Sequence, residues 1–159
     1  MPGLEDLYRE IILDHYRNPR NRGELPVPPS TRVEGFNPLC GDEIVVYLDV
    51  DGKVVRDVRI GGQGCSISQS SASMMSAAVK GKTIDEVHDL TRAFKAMMSI
   101  HESSLEGEDA ELDEVGDVKL GDLEALRGVV KFPVRIKCAT LSWNTLAQGL
   151  EETQAAAEA

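Results

Sequence analysis

The chain has 159 residues, a length that suits one compact domain, so residues 1–159 are expected to form a single unit. Its formal net charge of −10 repels phosphate backbones, which disfavours a nucleic-acid partner. No run of about 18 apolar residues is present, so no membrane span is expected.

The first 30 residues predict a helix followed by an extended connector. Apolar side chains recur at helical spacing over residues 4–16. Residues 18–23 (NPRNRG) should end this helix, and the proline-rich residues 25–30 should run extended. The start lacks the cationic and apolar regions of a signal peptide, and the count of three cysteines is odd. Both features favour the reducing cytoplasm.

Three strands are predicted next, at residues 31–36, 42–50 and 54–60. The pair Asp51-Gly52 between the last two indicates a tight hairpin. The glycine-rich residues 61–64 are expected to break the sheet before a helix over residues 66–79. One helix, a small antiparallel three-stranded sheet and then further helices predict an α+β domain.

The second half of the chain is predicted to be helical around one irregular stretch. Thr83 and Glu86 form a capping-box pattern that opens a helix to about residue 98. The acidic residues 101–120 are expected to form a solvated insertion. A short helix over 122–129 and a final helix from about 135 to 152 follow, and residues 153–159 should fray.

Four polar side chains lie at the predicted junctions between elements: Cys40, Asp42, Cys65 and Cys138. Gly41 lets its two neighbours turn toward one point. Cys65 and Cys138 are both expected at helix starts, where an anionic thiolate is favoured, and Arg135 acts in the same direction.

A set of three thiolates and one carboxylate suits tetrahedral zinc, and sulfur ligands also suit copper(I) or an iron–sulfur cluster. The alternative is that each cysteine is a small buried apolar residue and that Asp42 is a turn residue. Spacing alone does not decide between these interpretations, because the chain has no CxxC pair.

Four motifs resemble the SufU family, the zinc-dependent branch of the iron–sulfur assembly proteins related to IscU and the N-terminal part of NifU. They are residues 18–23 (NPRNRG), 37–42 (NPLCGD), 62–68 (GQGCSIS) and 131–141 (KFPVRIKCATL). Related cluster scaffolds usually carry a histidine directly before the third cysteine, whereas this chain has Lys137. That difference and the acidic insertion favour the SufU branch.

The resemblance implies a SufE/IscU-like fold and a zinc-dependent, sulfurtransferase-type relay for iron–sulfur cluster biogenesis. It implies that Cys40, Asp42, Cys65 and Cys138 bind the metal and that Cys40 accepts sulfur. The implied partners are a SufS-type cysteine desulfurase, which is a pyridoxal-phosphate enzyme, and downstream assembly proteins. Arg135 is expected to support the released thiolate or the docked partner. Two alternatives remain: a scaffold that builds a cluster on the same cysteines, and a structural zinc module.

Overall fold

The protein folds as a three-stranded sheet with helices packed against it, as seen in a computed structural model that describes residues 4–27, 30–38, 41–98, 121–131 and 133–158. In chain order the described elements are α1 (Leu4–Arg17), β1 (Thr31–Asn37), β2 (Asp42–Asp51), β3 (Val54–Gln63), α2 (Ser66–Val79), α3 (Ile84–Met98), a 3₁₀ helix (Gly121–Lys131) and α4 (Pro133–Glu158). The predicted α+β class is confirmed. No helix in these described ranges is long and apolar enough to cross a membrane.

The sheet has the order β1-β2-β3, and both pairings are antiparallel. Asp51 and Val54 are paired across the predicted Asp51-Gly52 turn, so the expected hairpin is confirmed. β1 and β2 are joined by only four residues, 38–41, which bring Asn37 opposite Asp42. The end of the sheet with this short connection therefore carries the NPLCGD motif.

The third strand is longer than the sequence indicates. The glycine-rich residues were expected to end the sheet, but β3 continues to Gln63 and pairs Gly62 with Ile44. Gly62 has a φ of 103°, and a Cβ at that position would lie 2.1 Å from the carbonyl oxygen of Glu43. Glycine is needed here because no side chain fits, so the strand continues to Gln63, two residues before Cys65.

Helices α2 and α4 pack against each other, and α4 also covers β1 and β2. The fully buried side chains of this core come from the sheet and from several helices, and they include Val46, Leu48, Ile60, Met75, Phe94, Trp143 and Leu146. The rings of Phe94 and Trp143 stack with their centroids 4.9 Å apart. This packing fixes the starts of α2 and α4 relative to the sheet edge.

The bounds of the later helices differ in part from the prediction. The Thr83–Glu86 capping box is present, because each side chain accepts the other residue's backbone N–H at 3.1 Å. The predicted helix 122–129 is a 3₁₀ helix and extends over Gly121–Lys131. The acidic stretch 101–120 lies outside the described residues.

The last helix begins earlier and ends later than predicted, because α4 runs from Pro133 to Glu158. Proline is favoured at the first helical position, where its missing N–H costs nothing and its φ is already helical. Residues 153–158 contain no glycine or proline, and alanine there favours helix. The fraying of residues 153–159 stays a prediction.

The NPRNRG segment is anchored to α2 and β3. Asn21 accepts the N–H of Ile60 through its backbone oxygen, and its side chain donates to Ser76 at 3.2 Å. Arg22 donates to the carbonyl oxygen of Gly62 at 2.8 Å. The motif therefore supports the strand end that leads into Cys65.

Candidate metal centre

The first component of the candidate centre is Asp42, at the start of β2. Its side chain is fully buried, although a carboxylate is costly to bury without partners. One oxygen, Oδ1, accepts the backbone N–H of Cys65 at 2.9 Å. The other oxygen, Oδ2, lies 3.9 Å from the sulfur of Cys65. Asp42 is therefore held by backbone on one side and faces sulfur on the other.

Cys65 is the N-cap residue of α2, as the sequence predicts. Its sulfur accepts the backbone N–H of Ser68 at 3.4 Å, which satisfies one of the unpaired donors of the first turn. The residue is partly exposed. The positive end of the helix therefore faces this sulfur.

Cys138 lies deeper in its helix than the sequence indicates. It was expected in about the first turn, but α4 begins at Pro133, so Cys138 falls in the second turn. The helix N-terminus thus contributes less to this sulfur than expected, because the macrodipole acts mainly within the first turn. The residue is fully buried, and its sulfur accepts a hydrogen bond from the amide nitrogen of Asn37 at 3.9 Å.

Arg135 supplies positive charge to both sulfur atoms. Electrostatic attraction to Cys65, followed by a hydrogen bond to Cys138, raises the pKa of the Arg135 guanidinium above its usual range. The side chain is exposed to solvent. An exposed cation therefore interacts with both sulfur atoms.

These elements bring three candidate ligands of two types, one carboxylate and two thiols, close together. One donor atom each from Asp42, Cys65 and Cys138 lies within 4.8 Å of the others. Donors that share a tetrahedral zinc at about 2.0–2.3 Å are separated by roughly 3.5 Å, so small adjustments would complete such a geometry. The residues fit a thiophilic divalent metal. Cys40, the fourth predicted ligand, lies outside the described residues.

Sequence reasoning missed two residues that shape this centre, Gly64 and Asn37. A Cβ on Gly64 would lie 2.5 Å from Oδ1 of Asp42 and 3.1 Å from its Cβ. The motif GQGC contains Gly64, but only the folded chain shows that its bare backbone makes room for the carboxylate. Asn37 precedes the cysteine loop, and nothing in the sequence connects it with a residue 101 positions later.

Gly64→Ala should displace the Asp42 carboxylate and weaken metal binding. We expect a loss of about 1–3 kcal/mol in the free energy of unfolding, because an added methyl group in a filled site forces its neighbours to move. Chelator competition and thermal unfolding of the metal-loaded protein measure the two effects.

The matched control is Gly61→Ala in the same glycine run. Its Cβ would lie 3.8 Å from Cβ of Val45, an ordinary contact, so the control should bind metal normally. Equal metal affinity of the two variants would contradict the proposed role of Gly64.

An α+β domain that gathers thiols and a buried carboxylate where its sheet meets two helices has a donor set that fits a small metal-binding domain. Residues 7–139 match the family model described as the NifU-like N-terminal domain. The chain belongs to this family, which confirms the relationship predicted from the four motifs.

Two curated relatives and one solved structure extend the comparison. The chain is 46% identical over 151 residues to the zinc-dependent sulfurtransferase SufU of Bacillus subtilis, covering 95% of this chain and 94% of that protein. It is 35% identical over 150 residues to the iron–sulfur cluster assembly scaffold protein IscU of Streptococcus pyogenes, covering 94% and 86%. The NifU-like N-terminal protein of Brucella abortus shares the fold, with a TM-score of 0.77, 24% identity and coverage of 96% and 98%.

Proposed function

We propose that this protein is a zinc-dependent sulfur relay that accepts persulfide sulfur from a cysteine desulfurase for iron–sulfur cluster assembly. The observation that carries the proposal is the meeting of Asp42, Cys65 and Cys138 within 4.8 Å in a chain 46% identical to a zinc-dependent sulfurtransferase. The reducing cytoplasm suits such a protein, because its thiols must stay free of disulfides.

The proposed zinc ligands are Asp42, Cys65 and Cys138, with Cys40 as the fourth. When bound, zinc supplies a Lewis-acidic centre that keeps thiols deprotonated and lowers their nucleophilicity. Three thiolates and one carboxylate on a divalent ion leave a formal charge of about −2. The guanidinium of Arg135, attracted to Cys65 and bonded to Cys138, offsets part of that charge.

Cys40 is the proposed sulfur acceptor. Its thiolate attacks the terminal sulfur of the persulfide on the desulfurase, a new S–S bond forms at Cys40, and the old S–S bond breaks. The desulfurase cysteine leaves as a thiolate, so the transfer needs no external oxidant or reductant. In sequence Cys40 falls between β1 and β2, whereas Cys65 caps α2 and Cys138 lies within α4.

Arg135 is proposed to support this step from the solvent side. It is exposed and interacts with the sulfur atoms of Cys65 and Cys138, so it can meet both the site and an incoming partner. A guanidinium stays protonated at any physiological pH and presents several donors, which suits stabilisation of a thiolate.

A scaffold that builds an iron–sulfur cluster on the same cysteines is the second candidate, favoured by the 35% identity to a scaffold protein. Lys137 argues against it. The residue before Cys138 is an exposed lysine, and a protonated ammonium cannot replace an imidazole as a ligand. A purely structural zinc module is the third candidate.

Metal analysis after anaerobic purification separates the relay from the scaffold. We expect a colourless protein with about one zinc per chain. A brown protein with iron and labile sulfide would support the scaffold instead. Downstream cluster-assembly proteins would then receive a cluster rather than sulfur.

Cysteine alkylation, mapped by mass spectrometry, separates the relay from the structural module. We expect the zinc-loaded protein to resist alkylation alone and to become reactive at Cys40 when a cysteine desulfurase is added. Desulfurase turnover of free cysteine should rise in the same mixture. Resistance under both conditions, with unchanged turnover, would support a closed structural site.

A further inference from the structure

Asn37 lies at the end of the sheet where β1 and β2 meet beside the candidate centre. It is the last residue of β1 and pairs with Asp42, the first residue of β2. Its backbone oxygen accepts the N–H of Gly41 at 2.9 Å. Asn37 therefore connects the end of β1 to Gly41, directly before β2.

The side chain of Asn37 reaches across the site to α4. Its amide nitrogen donates to the sulfur of Cys138 at 3.9 Å, and both residues are buried, with relative exposures of 6% and 0%. A hydrogen bond to a charged acceptor is stronger than one between neutral groups, and low local dielectric increases the difference. The hydrogen bond from the amide would therefore be strongest when a metal holds the Cys138 sulfur as a thiolate.

Asparagine is an unfavourable residue at this buried strand position. Asparagine is disfavoured in strands, and its amide is costly to bury without a hydrogen-bond partner. The amide is neutral and does not titrate near neutral pH, so it can stabilise a thiolate without competing for its proton.

We propose that Asn37 is a positioning residue of the metal centre, which orients the Cys138 sulfur by its side chain and holds Gly41 by its backbone oxygen. This inference rests on the proposed function, because it presumes a metal bound by Cys138. Residues that hydrogen-bond to a metal ligand commonly contribute a factor of roughly 10–100 to metal affinity.

The test is Asn37→Asp, which preserves size and the backbone but replaces the donor with a carboxylate. We expect zinc affinity, measured by chelator competition, to fall roughly 10–100-fold. The sulfur-to-metal charge-transfer bands of the cobalt-substituted protein should also shift, which a loss of general stability would not produce. Zinc affinity within twofold of the wild type, with unshifted bands, would overturn the inference.

Asn21→Asp is the matched control. It makes the same chemical change in an amide that donates to Ser76 rather than to sulfur. We expect its zinc affinity and cobalt spectrum to equal those of the wild type. If this control loses as much zinc affinity as Asn37→Asp, the loss comes from the added negative charge and not from the contact with sulfur, and the inference fails.

A measurement on the unaltered chain covers the case in which Asn37→Asp does not fold. In NMR spectra of the ¹⁵N-labelled protein, the resonance of one side-chain amide proton of Asn37 should shift downfield when cadmium is bound. The shift is expected because the hydrogen-bond acceptor becomes a metal-bound thiolate. An unmoved resonance would overturn the inference even if sulfur transfer is intact. If the wild-type protein binds neither zinc nor cadmium, the proposed function is wrong, and this inference fails with it.

Discussion

Cys40→Ala should reduce sulfur uptake from a cysteine desulfurase to the level measured without the protein, while the fold survives. Alanine provides no nucleophile, and no other thiolate in the proposed scheme performs the attack. Cys40 lies between two strands whose pairing does not require its side chain, so the sheet should form normally. Transfer of ³⁵S from labelled cysteine, with circular dichroism of the same sample, checks both parts of the prediction.

The same variant removes one proposed ligand, so metal content must be measured alongside transfer. Three ligands remain in Cys40→Ala, and we expect zinc to be bound more weakly but still detectably. Normal ³⁵S uptake by this variant would show that another cysteine is the acceptor. If uptake is lost in proportion to zinc occupancy and restored by excess zinc, Cys40 is a ligand only.

Much of the fold could be predicted because local patterns and tertiary contacts agree. The helix Ser66–Val79 and the capping box at Thr83 match the prediction residue by residue. β3 differs because glycine is a poor strand former, whereas pairing with β2 and the absence of space at Gly62 keep the strand intact. Tertiary pairing there outweighs local propensity.

The candidate site could be predicted only where its residues belong to motifs. Asp42, Cys65 and Cys138 stand in recognisable motifs, and the structure brings them together. The contact of Asn37 with Cys138 joins residues 101 positions apart, and no periodicity encodes such a contact. The sequence predicts the last helix from about residue 135, whereas α4 starts at Pro133, because proline is compatible with the first helical position.

Asp42→Asn should cause the largest loss of metal affinity among changes that preserve the packing of the site. Asparagine has nearly the same volume, and its amide oxygen can still accept the N–H of Cys65 in place of Oδ1. The charge and the second carboxylate oxygen, which faces the sulfur of Cys65, are lost. The apoprotein should therefore unfold near the wild-type temperature, whereas the zinc-loaded protein should lose stability.

The size of this effect follows from linkage between binding and folding. If zinc affinity falls 100-fold under saturating conditions, the free energy of unfolding of the zinc-loaded protein falls by about 2.7 kcal/mol. Asp57→Asn is the matched control, because Oδ1 of Asp57 also accepts a backbone N–H, that of Val58, at 2.9 Å. It removes the same charge from the sheet, and it should leave zinc affinity unchanged. If zinc-loaded Asp42→Asn keeps full zinc occupancy and an unchanged unfolding temperature, Asp42 is not a zinc ligand. The buried carboxylate of the wild type would then have a purely structural role.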